Sequence, residues 1–380
     1  MTPRTHHSWR RLGLTAVTLL LTAGCAVPAG QPESRTPQAR QQLLESWRSR
    51  TDAPAAVAGV SEAGGTVWVG ASGTAKRGTG AAVQPTAAFR IASITKVFVA
   101  VVVLQLVEEG VLGLDDPVST HLPDPLVAGV TVRQLLNHTS GLPDYAQVPE
   151  LQAELFAHRD RRWTSGEVLA LVEGNKRQFD PGAGYQYSNT DYVVMGELIQ
   201  AVTGTTWADQ VRSRILTPLQ LEHTVIPGDG QATVPVLPGY FDSDNDGDEE
   251  NVEDGRPWPA LETSEGPAGA VVATAGDLLV FGDALFRGDL LRSSSLQAMV
   301  AEGPFHSRTS NYGLGLEISK PDYRTTIWGH GGFLPGFRSV LWYVPSRDAV
   351  IVVLTNESRA NPADLAELMM WPLEPVRGPQ

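Results

Sequence analysis

The stretch VFVAVVVLQLV, residues 97–107, constrains this chain more than any other. It is apolar on every face, is introduced by Lys96, and ends at Glu108-Glu109-Gly110. A single apolar stripe would mark a surface helix, whereas apolarity all round implies a helix enclosed by the rest of the protein. The run is too short for a membrane-spanning helix, which needs about 20 residues. Enclosing it takes a large core. A chain of 380 residues, 42% of them apolar, can supply one as a single large domain or two lobes.

A charge at the mouth of such a helix is expensive to bury without a role, and Lys96 is one of only four lysines. Ser93 and Lys96 are three residues apart, so on a helix they share one face, a turn apart. A serine hydroxyl becomes a useful nucleophile only with a base in hydrogen-bond reach. A lysine whose pKa is lowered by burial and nearby positive charge can be that base. The start of a helix also offers free backbone N–H groups to a developing oxyanion. The plainer alternative is a capping serine beside a surface lysine, and Ser-x-x-Lys arises by chance about once in a chain this long.

Two later stretches could join them. Pro181-Gly182-Ala183-Gly184 forces a turn and delivers Tyr187-Ser188-Asn189 just before an expected helix at 192–202. The tyrosine could pass a proton to a leaving group, and the asparagine could bind substrate or orient the lysine. An aromatic core residue and a helix cap explain the tripeptide equally well. His330-Gly331-Gly332-Phe333 lies in a strand-like stretch, and its glycines admit another backbone or a ligand. A strand edge of this kind can hold a substrate amide by main-chain pairing. The chain has no Gly-x-Ser-x-Gly elbow, no His-Glu-x-x-His and no Walker loop.

The layout is α+β. Residues 55–73 read as two strands around a Gly-Gly turn, and helix-like stretches alternate with Pro/Gly loops from 115 to about 261. One of these, 164–173, opens with a Ser-x-x-Glu-type cap. Strand-like pieces at 312–319, 325–332, 337–345 and 348–356 precede a short helix at 362–371. The expectation is an antiparallel sheet flanked by helices, with an inserted, mostly helical lobe. The sheet lobe would take about 50–115 and 265–375, and the helical lobe about 116–264.

Residues 1–24 read as a targeting segment, with Arg4, Arg10 and Arg11 ahead of an apolar run. It ends in Leu21-Thr22-Ala23-Gly24-Cys25, which resembles a bacterial lipobox, and Cys25 is the only cysteine. The expectation is an exported lipoprotein, lipidated at Cys25 and anchored to the outer face of the cell membrane, with a secreted or periplasmic protein as the alternative. Residues 25–42 would be a flexible tether and 43–375 the folded domain. A single cysteine allows no internal disulfide, so stability comes from the core. A net charge of −13 and the lack of a basic tract exclude nucleic acid as a partner.

The acidic stretch DSDNDGDEENVE, residues 242–253, matches the spacing of a calcium loop. Asp242, Asp244 and Asp246 take positions one, three and five, the Asp248 carbonyl position seven and Glu253 position twelve. Pro238, Pro257 and Pro259 argue against flanking helices. A calcium ion here would be a structural clamp of the helical lobe, and a solvated acidic loop is the alternative. Catalysis requires no cofactor.

Ser-x-x-Lys, Tyr-Ser-Asn and His-Gly-Gly, in this order and at these separations, resemble the serine DD-peptidase and class C β-lactamase superfamily. Residues 131–145, TVRQLLNHTSGLPDY, and 266–281, GPAGAVVATAGDLLVF, add to the likeness. It extends over roughly 55–356 and implies a β-lactamase/transpeptidase-like fold. It further implies Ser93 as the acylated nucleophile, Lys96 as base or proton relay and Tyr187 as proton donor to the leaving group. Asn189 would contact Lys96 and the substrate amide, and His330 would support the proton network electrostatically. Gly331, Gly332 and Phe333 would line the substrate, with the N–H groups of Ser93 and Phe333 as the oxyanion hole; His138 would be structural. The implied substrates are small peptides, esters or amides, with a D-alanyl-D-alanine carboxypeptidase acting on cell-wall stem peptides as the first expectation. The sequence departs from the pattern at Gly331, where peptidases that bind a terminal D-alanine carboxylate often carry threonine, and at Phe333. An esterase, a D-amino-acid amidase, a weak β-lactamase or a non-catalytic penicillin-binding lipoprotein therefore stay open. Arg338, nearby in sequence, could supply the missing carboxylate contact.

Overall fold

The sheet opens with a hairpin, β1 (Ala55–Glu62) and β2 (Thr66–Gly73), whose turn uses the left-handed φ of 81° at Gly65. The computed structural model describes residues 36–63, 65–228, 234–242, 250–253, 257–301, 303–307, 309–321 and 325–370. Within them follow β3 (Ala88–Arg90), β4 (Gly239–Phe241), β5 (Glu250–Glu253), β6 (Val272–Thr274), β7 (Phe305–Ser307) and β8 (Ser310–Tyr312). The last four are β9 (Glu317–Ser319), β10 (Ile327–Leu334), β11 (Phe337–Val344) and β12 (Ala349–Thr355). Eight strands make one antiparallel sheet in the order β2-β1-β12-β11-β10-β9-β8-β7, while β3 pairs with β6 and β4 with β5.

The helices are α1 (Pro37–Thr51), α2 (Thr95–Glu108), α3 (Val132–Leu136), α4 (Pro149–Ala157), α5 (Ser165–Ala170) and α6 (Asn189–Thr203). They continue with α7 (Trp207–Val211), α8 (Pro259–Gly269), α9 (Ala275–Phe286), α10 (Ser293–Met299) and α11 (Pro362–Met370). Capping boxes start two of them, Thr131 with Gln134 at α3 and Thr164 with Glu167 at α5.

β1 and β12 read as unbroken apolar runs because both faces of the sheet are covered. Ala55 and Val57 of β1, with Val350, Val352 and Leu354 of β12, belong to the core that holds α2 and α9. The alternate residues Ala56, Ala58 and Val60, with Ile351 and Val353, pack with Leu44 and Trp47 of α1 and Leu365 and Met369 of α11. Helix α2 is enclosed as its composition demands, with every residue from Thr95 to Leu104 buried. Phe98 stacks on Phe281 of α9 at 3.7 Å between ring centroids. Burial of each such side chain stabilises by about 1.5–3 kcal/mol, so propensity hardly matters for this β-branched helix.

One expected boundary needs correction. The tether was expected to run to residue 42, but α1 begins at Pro37, capped by the Thr36 hydroxyl, which accepts from the Ala39 N–H. The reason is tertiary: Arg40 is buried against Glu62 at 2.8 Å, and Leu44 and Trp47 insert against the sheet. The sheet and helical stretches share one large apolar cluster. Val118, Leu136 and Leu198 of the helical stretch lie in the same apolar cluster as strand residues Val57 and Leu341.

Candidate active site

Ser93 sits in a single 3-10 turn, Ala92–Ile94, that runs directly into α2. The turn is set by Ala92, which takes a left-handed φ of 50°, strained for a residue with a Cβ, by about 1–2 kcal/mol. The first N–H groups of such a turn lack intrahelical acceptors. Lys96, one turn on, is fully buried. Its Nζ donates to the carboxamide oxygen of Asn189 at 2.8 Å and to the carbonyl of Ala268 at 2.7 Å, and lies 3.2 Å from Ser93 Oγ.

Two of those three partners are obligate acceptors. A neutral Lys96 amine has two N–H donors, which Asn189 and Ala268 take, so its lone pair is left facing the serine hydroxyl. Burial lowers the Lys96 pKa to about 8, against the opposing pull of the negative charges of Glu265, Asp144 and Asp191. About a tenth of the amine is therefore neutral at pH 7, and about half at pH 8. Glu265, half-buried on α8, has its own pKa raised by burial to about 7.

Tyr187 completes the pair around the serine, its hydroxyl donating to Ser93 Oγ at 3.0 Å. Burial pushes this phenol well above its usual pKa, with the Ser93 hydrogen bond opposing. It therefore stays protonated and can give a proton but not take one, which separates the two neighbours of Ser93 into a base and an acid. Asn189 was expected just before a helix and is instead the first residue of α6. Its carboxamide N–H groups face both carboxylate oxygens of Asp144, at 3.2 and 3.3 Å, and its backbone N–H donates to Asp144 at 3.0 Å. That fixes the amide with its oxygen toward Lys96.

His330, Gly331, Gly332 and Phe333 lie on β10. β9 pairs with β10 only at Ile327, Trp328 and Gly329. Among the described residues the edge from His330 onward carries no strand, and it runs beside the Ser93 turn. A Cβ on Gly332 would collide with the Ile91 carbonyl, the Ser339 hydroxyl and, at 3.0 Å, the Ala92 Cβ, so only glycine permits this approach. Phe333 is exposed, and the Arg338 guanidinium, its register partner on β11, lies over its ring at 5.5 Å.

His330 is buried and reaches the centre indirectly. Its Nδ1 contacts the Gly331 carbonyl at 2.5 Å, which requires the proton on Nδ1, and Nε2 then accepts from the Tyr312 hydroxyl at 2.9 Å. Its ring lies 6.2 Å from that of Tyr187. His138 is a packing residue of the same wall, with Nδ1 2.9 Å from Asp191 and its ring 4.3 Å from Tyr187 and 4.7 Å from Tyr312.

Sequence reasoning had not singled out Asp144, Asp191, Glu265, Ala268 or Tyr312 as parts of this centre. Asp144 and Ala268 fall inside the stretches that carry the family likeness, but their contacts to Asn189 and Lys96 span 45 and 172 residues.

Only the two ends of the acidic stretch are among the described residues. Asp244, Asp246 and Asp248, like Cys25, lie outside the described residues. Glu253 ends β5, paired with Gly239 of β4, so the stretch is framed by a β-hairpin. Asp242 does not stand free for a metal, since Arg359 Nη2 is 2.5 Å from its Oδ2. Among the described residues no group of three or more His, Cys, Asp or Glu is placed to hold a metal ion.

A hydroxyl between a buried amine and a half-buried phenol, at the start of a helix and beside an open strand edge, has the makings of an acyl-transferring serine hydrolase. The family model described as Beta-lactamase matches residues 38–369, and the chain belongs to that family of serine hydrolases. Penicillin-binding protein 4* of Bacillus subtilis (strain 168) is 27% identical over 296 residues, 71% of this chain, which in turn spans 61% of that relative's length. Penicillin-binding protein 4 of Amycolatopsis lactamdurans is 29% identical over 82% of this chain and 83% of its own. Among solved structures, a D-stereospecific amidohydrolase from Streptomyces sp. is 33% identical with a TM-score of 0.77, covering 87% of this chain and 97% of that one. The D-amino acid amidase from Ochrobactrum anthropi SV3 is 27% identical with a TM-score of 0.78, covering 88% and 98%.

Proposed function

We propose that this protein hydrolyses the amide bond that follows a D-amino-acid residue, through an acyl-enzyme on Ser93. The observation that carries the chemistry is Ser93 Oγ held between Lys96 Nζ at 3.2 Å and the Tyr187 hydroxyl at 3.0 Å. Neutral Lys96 takes the serine proton as Oγ attacks the carbonyl. The oxyanion is received by the N–H groups of Ser93 and Phe333, and the substrate main chain pairs with the open edge of β10. Tyr187 gives its proton to the departing amine and recovers one from Lys96, which holds the proton taken from Ser93. The attacking water then gives a proton to this amine–phenol pair, its oxygen bonds to the acyl carbon, and Ser93 Oγ leaves with that proton as the D-acyl group is released as its acid.

The preference for D-residues is supported by the likeness to the Streptomyces amidohydrolase and the Ochrobactrum amidase over nearly their whole lengths. A D-alanyl-D-alanine carboxypeptidase is the narrower form of the same reading. It requires a group for the terminal carboxylate, and Gly331 and Phe333 bring no hydroxyl, while Arg338 lies over the Phe333 ring. The broader amidase or peptidase reading is therefore preferred. Export, with a lipid anchor at Cys25, is part of the proposal, as is a structural calcium in the acidic loop, which would replace Arg359 at Asp242.

The test is labelling with a fluorescent penicillin and a fluorophosphonate, followed by turnover of D- and L-aminoacyl amides and of D-alanyl-D-alanine peptides. Ser93-dependent labelling with faster cleavage of D-amides is expected. No labelling in wild type sinks the enzyme, and faster cleavage of L-amides or of plain acyl esters sinks the substrate class. Incorporation of a palmitate analogue, abolished by Cys25→Ala, tests the anchor.

A further inference from the structure

The open edge of β10 has a direction. Phe333, whose N–H is assigned to the oxyanion, lies three residues along the strand from His330, whose ring is 6.2 Å from that of Tyr187. Because Tyr187 protonates the leaving nitrogen, a substrate paired with this edge carries its leaving group toward the His330 end. β9 closes the edge at that end, and its last rung is Glu317 opposite Gly329. Glu317 is also the register partner of Tyr312 on β8. Directly opposed residues of an antiparallel ladder share a face. The Glu317 side chain therefore stands on the side where the Tyr312 ring meets Tyr185 at 6.1 Å and Tyr187 at 6.0 Å. Its charge acts on all three phenols. The side chain is half-buried, and among the described residues no hydrogen bond or ion pair holds its carboxylate. Burial alone moves its pKa, up to about 7, and no cation opposes that rise. Such a carboxylate costs the fold stability, and none of the acyl-transfer steps uses it.

We propose that Glu317 sets specificity on the leaving-group side, its carboxylate rejecting leaving groups that carry a carboxylate of their own. The inference rests on the reading of a Ser93 hydrolase with Tyr187 as the leaving-group acid, and adds the charge class of the leaving group. A leaving residue with a free C-terminus brings a second negative charge beside the first, in a half-buried region with no cation to offset either. A leaving residue that ends in an amide, or continues as a peptide, adds no charge and offers N–H groups for Glu317 to accept. The repulsion is full above pH 7 and fades below it, as Glu317 takes up a proton. The other titratable groups around it are Tyr185, Tyr187 and Tyr312, which burial keeps protonated, and the His330 ring, neutral with its proton on Nδ1. Lys96 lies behind the Tyr187 ring and titrates at about 8, so a variant at Glu317 is needed to separate the two.

The experiment keeps the acyl group constant. Release of glycine from D-alanylglycine and of glycinamide from D-alanylglycinamide is compared on wild type, Glu317→Gln and Glu317→Asp. Wild type should favour the glycinamide substrate, and Glu317→Gln should cut the ratio of the two kcat/KM values by about tenfold, as expected for one half-buried charge. Glu317→Asp should keep most of the ratio. In wild type the ratio should rise with pH through about 7, and in Glu317→Gln that rise should be lost. A ratio unchanged in Glu317→Gln overturns the inference, as does an equal loss on both substrates, which would mark a purely structural carboxyl. A second arm needs no turnover: calorimetry on Ser93→Ala with the same two ligands. Tighter binding of the glycinamide form, with the difference lost on adding Glu317→Gln, supports the role of Glu317 even if wild type cleaves neither substrate, in which case only the hydrolase reading falls. Equal or tighter binding of the glycine form overturns it. If neither ligand is bound or cleaved, the inference falls together with the reading it rests on.

Discussion

Gly332→Ala tests whether the approach of β10 to the Ser93 turn sets the catalytic geometry. The added Cβ would stand 3.0 Å from the Ala92 Cβ and nearer still to the Ile91 carbonyl and the Ser339 hydroxyl. Carbon contacts settle at about 3.5–4.0 Å, so the strand or the turn must retreat by roughly 0.5–1 Å. The turn cannot yield cheaply, because Ala92 is buried and already at positive φ, and α2 behind it is close-packed. The displacement therefore falls on the edge that pairs with the substrate and supplies the Phe333 N–H. A 1 Å misplacement costs on the order of 10²-fold in rate, which corresponds to about 2.7 kcal/mol of activation free energy. The matched control is Gly331→Ala, whose Cβ would meet only the Ser339 carbonyl at an ordinary 3.9 Å. Steady-state kcat/KM on a D-aminoacyl amide, with Tm for both variants, measures the effect. A folded Gly332→Ala that keeps activity within about threefold of wild type, or a Gly331→Ala equally impaired, would refute the geometric reasoning, since a 1 Å shift at the oxyanion site should cost far more.

Other outcomes follow from the same contacts. The rate of Ser93 labelling by a fluorophosphonate should rise with pH through about 8, as Lys96 loses its proton. Glu265→Gln should move that limb to lower pH, because the Glu265 charge raises the Lys96 pKa; a limb that stays put, or a bell centred lower, would remove Lys96 as the base. Tyr187→Phe should slow amide turnover by about 10²-fold but turnover of p-nitrophenyl esters far less, because a nitrophenolate leaves without a proton; equal losses would argue against a leaving-group role. Asp191→Ala should destabilise the fold by about 3 kcal/mol in urea unfolding, because it strands the buried His138 ring and Ser140 hydroxyl. Calcium should raise the Tm of wild type without changing kcat, and Asp244→Ala should abolish the rise; no heat of binding in calorimetry ends the calcium reading.

Much of the fold and part of the site could be read from local rules. Enclosure of the helix at 97–107 followed from its apolarity alone, and the strands 327–334, 337–344 and 349–355 from short apolar runs between turn residues. Ser93 and Lys96 could be paired because an i,i+3 spacing fixes their relation on any helix. Residues 37–42 misled because their polar composition reads as a tether, and only the sheet surface beneath Arg40, Leu44 and Trp47 makes a helix there worthwhile.

What the sequence determined by itself is the set of chemically able groups and the elements that carry them. The tertiary structure decided which of these groups meet and in what protonation state. The Ala268 carbonyl that completes the Lys96 cage, the Asp144 carboxylate that turns the Asn189 amide and the Tyr312 hydroxyl beside His330 come from separate segments. No periodicity encodes such contacts, because they depend on how α2, α6, α8 and the sheet pack together. The lowered pKa of Lys96 has the same origin. It arises from exclusion of water by a closed core, a property of the assembled fold and of no single stretch of chain.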